Sequence, residues 1–75
     1  MINLKPVEGS SQIIGVGYSE ENQVLRIRFK KGEAEYDYAD VPRSEHDALL
    51  NSKSIGKHFH QHIKGAYEYQ RVHQA

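Results

Sequence analysis

The segment Phe29–Pro42, FKKGEAEYDYADVP, constrains the fold more than any other part of the chain. An alternating stretch that carries Tyr36 and Tyr38 follows a Lys31-Gly32 pair and stops at a proline. Glycine supplies the positive φ that a two-residue hairpin turn needs, so the segment predicts a β-hairpin that turns at Lys31-Gly32. Two residues then face each other across the hairpin when their numbers add up to the sum of 31 and 32.

Every predicted pair across this hairpin is chemically compatible. The pairs are Phe29–Ala34, Ile27–Tyr36 and Leu25–Tyr38 on an apolar face, and Lys30–Glu33, Arg28–Glu35 and Arg26–Asp37 on a charged face. Apolar and opposite-charge pairs of this kind stabilise antiparallel strands. Because carboxylates oppose Arg26 and Arg28, exposed ion pairs are favoured over a basic surface for phosphate.

An earlier stretch, SQIIGVGYS, predicts a strand that precedes the hairpin. Ile14, Val16 and Tyr18 alternate with small residues and continue the apolar face. If Tyr18 faces Leu25, then Gly15 and Gly17 lie beside the arginines. Glycine in a strand permits close approach of a ligand, but it also marks a bulge or tight packing.

Two short helices are expected to cover the apolar face. Val41-Pro42 ends the hairpin and RSEHDALLNS follows with helical spacing. Ser54 is suited to cap a second helix, SIGKHFHQHIK, which Gly65 ends. The tail AYEYQRVH alternates, which favours a fourth strand or an extended segment over the sheet.

Together these elements predict an α+β fold, a three-stranded antiparallel meander covered on one face by two short helices, with a fourth strand at the C-terminus. Residues 1–9 are interpreted as an N-terminal arm and residues 10–75 as a single domain.

Length and composition favour a binding module over an enzyme. A chain of 75 residues has a small core, and without cysteine it has no disulfide or thiolate metal site. Its start, MINLKPVEGS, lacks the features of a secretory signal, so a cytoplasmic protein is expected. No nucleophile elbow, P-loop or dinucleotide fingerprint is present. Ten basic residues balance ten acidic ones, so any attraction to nucleic acid must be local.

The residues resemble the KTSC domain family, which is named for a C-terminal appendage of some lysyl-tRNA synthetases and has stand-alone versions in bacteria and phages. The matching positions are Ser11, Ile13, Val16-Gly17-Tyr18, Leu25, Ile27, Phe29, Gly32, Tyr36, Tyr38, Val41-Pro42, Leu49, Ser54, Gly56, Phe59 and Ile63. His46, Lys57-His58 and His60 depart from the family pattern. The resemblance implies a domain of unknown function, for which the synthetase linkage suggests RNA binding.

The C-terminal third carries the one local excess of positive charge in the sequence. This segment contains four basic residues, Lys53, Lys57, Lys64 and Arg71, but only one acid, Glu68. It also contains several histidines. Backbone N–H groups near the start of the second helix would point at an anion. A simple helix cap at Ser54 and close packing at Gly56 are the favoured alternative to anion binding.

Aromatic and histidine side chains have alternative interpretations of the same kind. Tyr36 and Tyr38 are expected in the core, whereas Tyr67 and Tyr69 lie between Lys64 and Arg71 and either pack on the sheet or stack on bases. Two histidines four apart, His58 and His62, could share a metal, with His46, His73 or a carboxylate as further ligands. Exposed histidines without metal are the simpler interpretation, and no cofactor is expected.

The resulting hypothesis is a non-catalytic module that recognises RNA or a phosphate-bearing nucleotide. Its candidate residues are Lys53, Ser54, Gly56, Lys57, His58, Lys64, Tyr67, Tyr69 and Arg71. The alternative is a protein-interaction or oligomerisation domain, for instance a phage-encoded factor that acts on a host protein.

Overall fold

The computed structural model describes residues 2, 4–7 and 12–72 as an antiparallel sheet covered by helices. Within these residues the sheet has five strands, which lie in chain order: β1 (Lys5–Pro6), β2 (Ile13–Ser19), β3 (Val24–Phe29), β4 (Glu35–Tyr38) and β5 (Tyr69–Val72). The helices are α1 (Arg43–Asn51) and α2 (Ile55–His58), and α2 continues into a π-helical turn, Phe59–Ile63. The predicted α+β fold and C-terminal strand are confirmed.

The hairpin formed by β3 and β4 has the predicted register but a longer turn. Arg26 pairs with Asp37 and Ile27 with Tyr36, and the Phe29 N–H donates to the Ala34 carbonyl at 2.8 Å. The chain between them forms a 3₁₀ turn, Lys31–Glu33, so the predicted two-residue turn is wrong. The register survives because the longer turn has the same centre, with Gly32 at the expected positive φ of 68°.

The first predicted strand contains a β-bulge that reverses its alternation. Ile13 pairs with Phe29 and Gly15 with Arg28, so an extra residue, Ile14, lies between these pairs. Ile13 is fully buried, whereas Ile14 is half-buried. The predicted inward position of Ile14 is therefore wrong, because one inserted residue exchanges the two faces of a strand.

Part of the predicted N-terminal arm belongs to the sheet. Lys5 and Pro6 pair with β2, and the Val7 N–H donates to the Ile14 carbonyl at 3.1 Å. Val7 also packs against the core. The predicted boundary between residues 9 and 10 lies outside the described residues and stays a prediction.

The core lies between the sheet and the helices. Its buried members are Ile13, Val16, Leu25, Ile27, Tyr38, Val41, Leu49, Phe59 and Ile63. Pro42 occupies the position just before α1, and Gly65 follows the second helical segment with φ 83°. No helix in the described ranges is long and apolar enough to cross a membrane.

Candidate functional site

An open groove of about 830 Å³ lies where the end of the second helical segment meets the β3–β4 turn and β5. Its lining residues are Gln12, Phe29, Lys30, Lys31, Ala34, Tyr36, Tyr38, Phe59, His60, Lys64 and Tyr69. We call this surface the aromatic groove. Its volume is within the range of about 300–1,000 Å³ that is usual for ligand sites.

The pairing of the strands places the aromatic side chains of the groove next to one another. Tyr38 faces Tyr69 across β4 and β5, and side chains at paired positions project from the same face of a sheet. Phe59 lies 5.4 Å, between ring centroids, from both Phe29 and Tyr38. The helices thus cover one part of the apolar sheet face, and the aromatic groove is a part that stays open.

Tyr69 is the most accessible of the tyrosine and phenylalanine rings of this surface. The residue is 62% exposed, although its ring lies 5.7 Å from that of Tyr36 and 5.6 Å from that of Tyr38. An exposed aromatic side chain held by two neighbouring rings presents a fixed planar surface to solvent. Such a surface can stack on a nucleobase or another planar group.

Three lysines give the groove a positive rim. Lys30 and Lys31 come from the β3–β4 turn and Lys64 follows the π-helical turn, and all three are exposed. Among the lining side chains that the structure describes there is no acid. The groove is therefore suited to a planar ligand that carries negative charge.

Polar side chains complete the lining. His60 Nε2 lies 2.8 Å from Gln12 Oε1, a hydrogen bond that joins the helix to the segment before β2. Burial raises the pKa of Tyr38 to about 12, and the neighbouring Tyr69 and Tyr36 add to the effect. The Tyr38 hydroxyl is therefore protonated at neutral pH and can donate a hydrogen bond.

The predicted anion site at the helix start, formed by Lys53, Ser54, Gly56 and Lys57, lies outside the groove lining. Ser54 Oγ accepts a hydrogen bond from the Lys57 N–H at 3.3 Å, so Ser54 caps the helix as predicted. Lys53 and Lys57 are exposed, and Gly56 is half-buried. The α-helical part that follows has only four residues, Ile55–His58, before the π-helical turn begins.

His58 faces the first helix instead of solvent. Its Nε2 lies 3.4 Å from Glu45 Oε1, and its ring centroid lies 4.5 Å from that of His62. His46 stacks on Tyr18 at 4.7 Å, away from this pair. Within the described residues no cluster of three or more metal-ligating side chains is found, and His73 lies outside them. His58 thus lies against the Glu45 carboxylate of α1.

The two tyrosines of the tail have different environments. Tyr67 packs against the core, and its pKa is raised by burial and then by the Glu45 charge, so it is a structural residue. Arg71, by contrast, is exposed and pairs with Tyr36, which places it on the sheet face that carries the groove. Of the predicted site residues, Lys64 and Tyr69 line the groove and Arg71 lies on the same face.

On the outer face of the sheet, the side chains pair and pack with one another. Arg26 donates two hydrogen bonds to Asp37, at 2.7 and 3.0 Å, as the predicted ion pair requires. Gly15 is buried, and a Cβ there would lie 3.4 Å from the Arg28 Cβ and 3.7 Å from that of Leu4. Gly15 therefore serves close packing, the second of the two interpretations given above.

Three important groove residues were missed by sequence reasoning. Lys30 was treated only as the strand partner of Glu33 and Lys31 only as a turn residue, and Gln12 was not considered. Adjacent lysines at the tip of a hairpin with an aromatic face are a signal that could have identified the first two. Gln12 has no comparable signal, because its role comes from a partner 48 residues later in the chain, His60.

Comparisons with known proteins place the chain in one family. The KTSC domain model matches residues 9–73. The crystal structure of a KTSC domain protein from Yersinia pestis is similar, with a TM-score of 0.91 and 30% identity over 97% of this chain and 100% of that chain. An uncharacterized protein of Stutzerimonas stutzeri is 41% identical over 64 residues, which are 84% of this chain and 89% of that protein.

The same domain occurs within larger proteins. A lysine–tRNA ligase of Nostoc punctiforme is 39% identical over 69 residues, which are 92% of this chain but only 12% of the ligase. The match to the family model and the agreement with the Yersinia pestis structure extend over nearly the whole chain. The chain therefore belongs to the KTSC domain family.

Proposed function

We propose that this domain is a non-catalytic binding module that recognises a nucleobase together with a phosphate, as single-stranded RNA or as a free nucleotide, in the aromatic groove. The observation that carries the proposal is the exposed ring of Tyr69 beside a rim of three lysines. Single-stranded nucleic acids bind to surfaces that combine stacking rings with cationic side chains.

In this arrangement a base stacks on Tyr69, while Lys64 and the turn lysines contact phosphate. The lysines carry flexible, strongly hydrated charges, which suit phosphates without fixing a sequence. The Tyr38 hydroxyl supplies a hydrogen-bonding group for a base edge. The domain is then expected to prefer single strands over duplexes, in which the base faces are covered.

Two findings support this function. The family occurs within proteins named as lysine–tRNA ligases, which act on RNA, as a segment that is 12% of their length. Neither the family description nor the two stand-alone relatives named above indicates a catalytic activity. A cytoplasmic location and the role of a phage-encoded factor remain predictions from the sequence.

Fluorescence anisotropy with a labelled single-stranded RNA hexamer, at several salt concentrations, tests the proposal. Each lysine that contacts a phosphate contributes about 0.7 to the slope of log affinity against log salt. Lys64→Glu should therefore weaken binding and flatten this slope. Lys57→Glu makes the same charge change at the helix start and is the matched control, for which we expect affinity near that of the wild type.

Competition by AMP and by a duplex of equal length identifies the form of the ligand. Tighter binding of the hexamer than of AMP would indicate an RNA strand that reaches more than one lysine, and equal binding would indicate a free nucleotide. Absence of binding to both would overturn the proposal. Loss of binding in Lys57→Glu with full binding in Lys64→Glu would instead support the helix start predicted from the sequence.

A further inference from the structure

Strand β5 forms an open edge of the sheet. It pairs with β4 on one side, and its residues Tyr69, Gln70 and Arg71 are exposed. The opposite edge, β1, is only two residues long and contains Pro6, which has no N–H to offer. Of the two edges in the described sheet, β5 is thus the one that can accept another strand.

Hydrogen-bond alternation shows which backbone groups of this edge are open. The Ala39 N–H donates to the Glu68 carbonyl at 2.9 Å, so this pair is hydrogen-bonded across β4 and β5. In an antiparallel ladder hydrogen-bonded pairs alternate with non-bonded pairs. Gln70 therefore bonds inward to Asp37, whereas the N–H and carbonyl groups of Tyr69 and Arg71 point away from the sheet.

We propose that the β5 edge binds the β5 edge of a second copy of this chain in an antiparallel pair. Because the outward groups are those of Tyr69 and Arg71, a two-fold pair centred on Gln70 bonds each Tyr69 to the partner's Arg71 through two backbone hydrogen bonds. Symmetry repeats the pair, which gives four backbone hydrogen bonds in total.

Side-chain chemistry favours this register over its neighbour. Tyr69 and Arg71 share a sheet face, so each guanidinium lies opposite the partner's tyrosine ring, an attractive cation–π contact. Moving the centre one residue towards the C-terminus would place Arg71 opposite the partner's Arg71, and like charges directly opposite are destabilising. Moving it one residue the other way would pair Arg71 with Tyr67, which precedes β5 and packs against the core. The pair thus has one register in which cation and ring are matched twice.

The dimer would place two aromatic grooves on one face of a continuous sheet. Tyr69 lines the groove and also lies at the pairing edge, so the two grooves would adjoin across the two-fold axis. The contact is short, and interfaces of this kind are weak. This inference does not depend on the proposed function, because pairing needs no ligand.

Sedimentation equilibrium of the unliganded protein up to about 1 mM, a range chosen for a weak interface, tests the pairing. The wild type should reach twice the monomer mass, and Arg71→Pro should stay monomeric because it removes an outward N–H and leaves the ladder with β4 intact. Lys64→Glu, which changes the groove but not the edge, should dimerise like the wild type and yet bind RNA more weakly.

Amide hydrogen exchange on the wild type makes the test independent of any variant that fails to fold. The Tyr69 and Arg71 amides should gain protection as protein concentration rises, whereas the Gln70 amide, bonded inward, should be protected at every concentration. A monomer at all concentrations, or protection that rises at β1 instead of β5, would overturn the pairing.

Discussion

Replacing Tyr69 with alanine should damage binding much more than folding. Tyr69 is 62% exposed, so it buries only roughly two-fifths of the area that a fully buried aromatic side chain removes from water. At about 25 cal/mol per Å² this burial corresponds to at most about 2 kcal/mol of stability. Stacking of one base contributes about 1–3 kcal/mol, so RNA affinity should fall by about 5- to 150-fold.

Urea unfolding and RNA anisotropy on the same samples separate the two effects. Domains of this size often have only about 3–5 kcal/mol of stability, so binding of Tyr69→Ala should be measured at low temperature after circular dichroism has shown the native signal. Tyr69→Phe keeps the stacking ring and should retain most of the affinity. A folded Tyr69→Ala protein that binds RNA like the wild type would refute the stacking role.

Three further predictions concern the stability of the fold. The pKa of Tyr38 is raised to about 12, so the folded state holds the hydroxyl proton more tightly than the unfolded state does. The contribution of this proton to stability is therefore complete below pH 10 and is lost as pH rises towards 12. Urea titrations at rising pH should show that the free energy of unfolding falls by about 2 kcal/mol more for the wild type than for Tyr38→Phe. Gly32→Ala should lower the free energy of unfolding by about 1–2 kcal/mol, because a residue with a Cβ is strained at a φ of 68°. The cost comes from the backbone, since a Cβ there would meet no atom within 4 Å. A melting temperature equal to that of the wild type would contradict this prediction. Ser54→Ala should cost about 1 kcal/mol through the lost cap, which thermal unfolding can measure, while RNA affinity in the groove stays unchanged.

The hairpin could be predicted from the sequence because local chemistry determines it. Opposite charges at Arg26 and Asp37 and apolar residues at Ile27 and Tyr36 agree on one register, and the turn length does not alter it. The bulge at Ile14 could not be predicted in this way. An alternating sequence is compatible with either face, and the choice is made by packing against distant strands.

The site was only partly predictable for a related reason. Local charge density indicated Lys64, and tail aromatics indicated Tyr69, and both line the groove. The turn lysines reach the same place only because β5 returns beside β4, a contact between distant parts of the chain. His58 was assigned to the surface from its spacing, whereas its partner, Glu45, comes from another helix.

The most direct test of the aromatic groove is an NMR titration of isotope-labelled protein with a single-stranded RNA hexamer. We expect amide shifts to concentrate at Lys30, Lys31, Tyr36, Lys64 and Tyr69, and to shrink as salt is raised, because phosphate contacts release counterions. Shifts confined to the helix start, or no shifts at low salt, would contradict the assignment of nucleotide recognition to this groove.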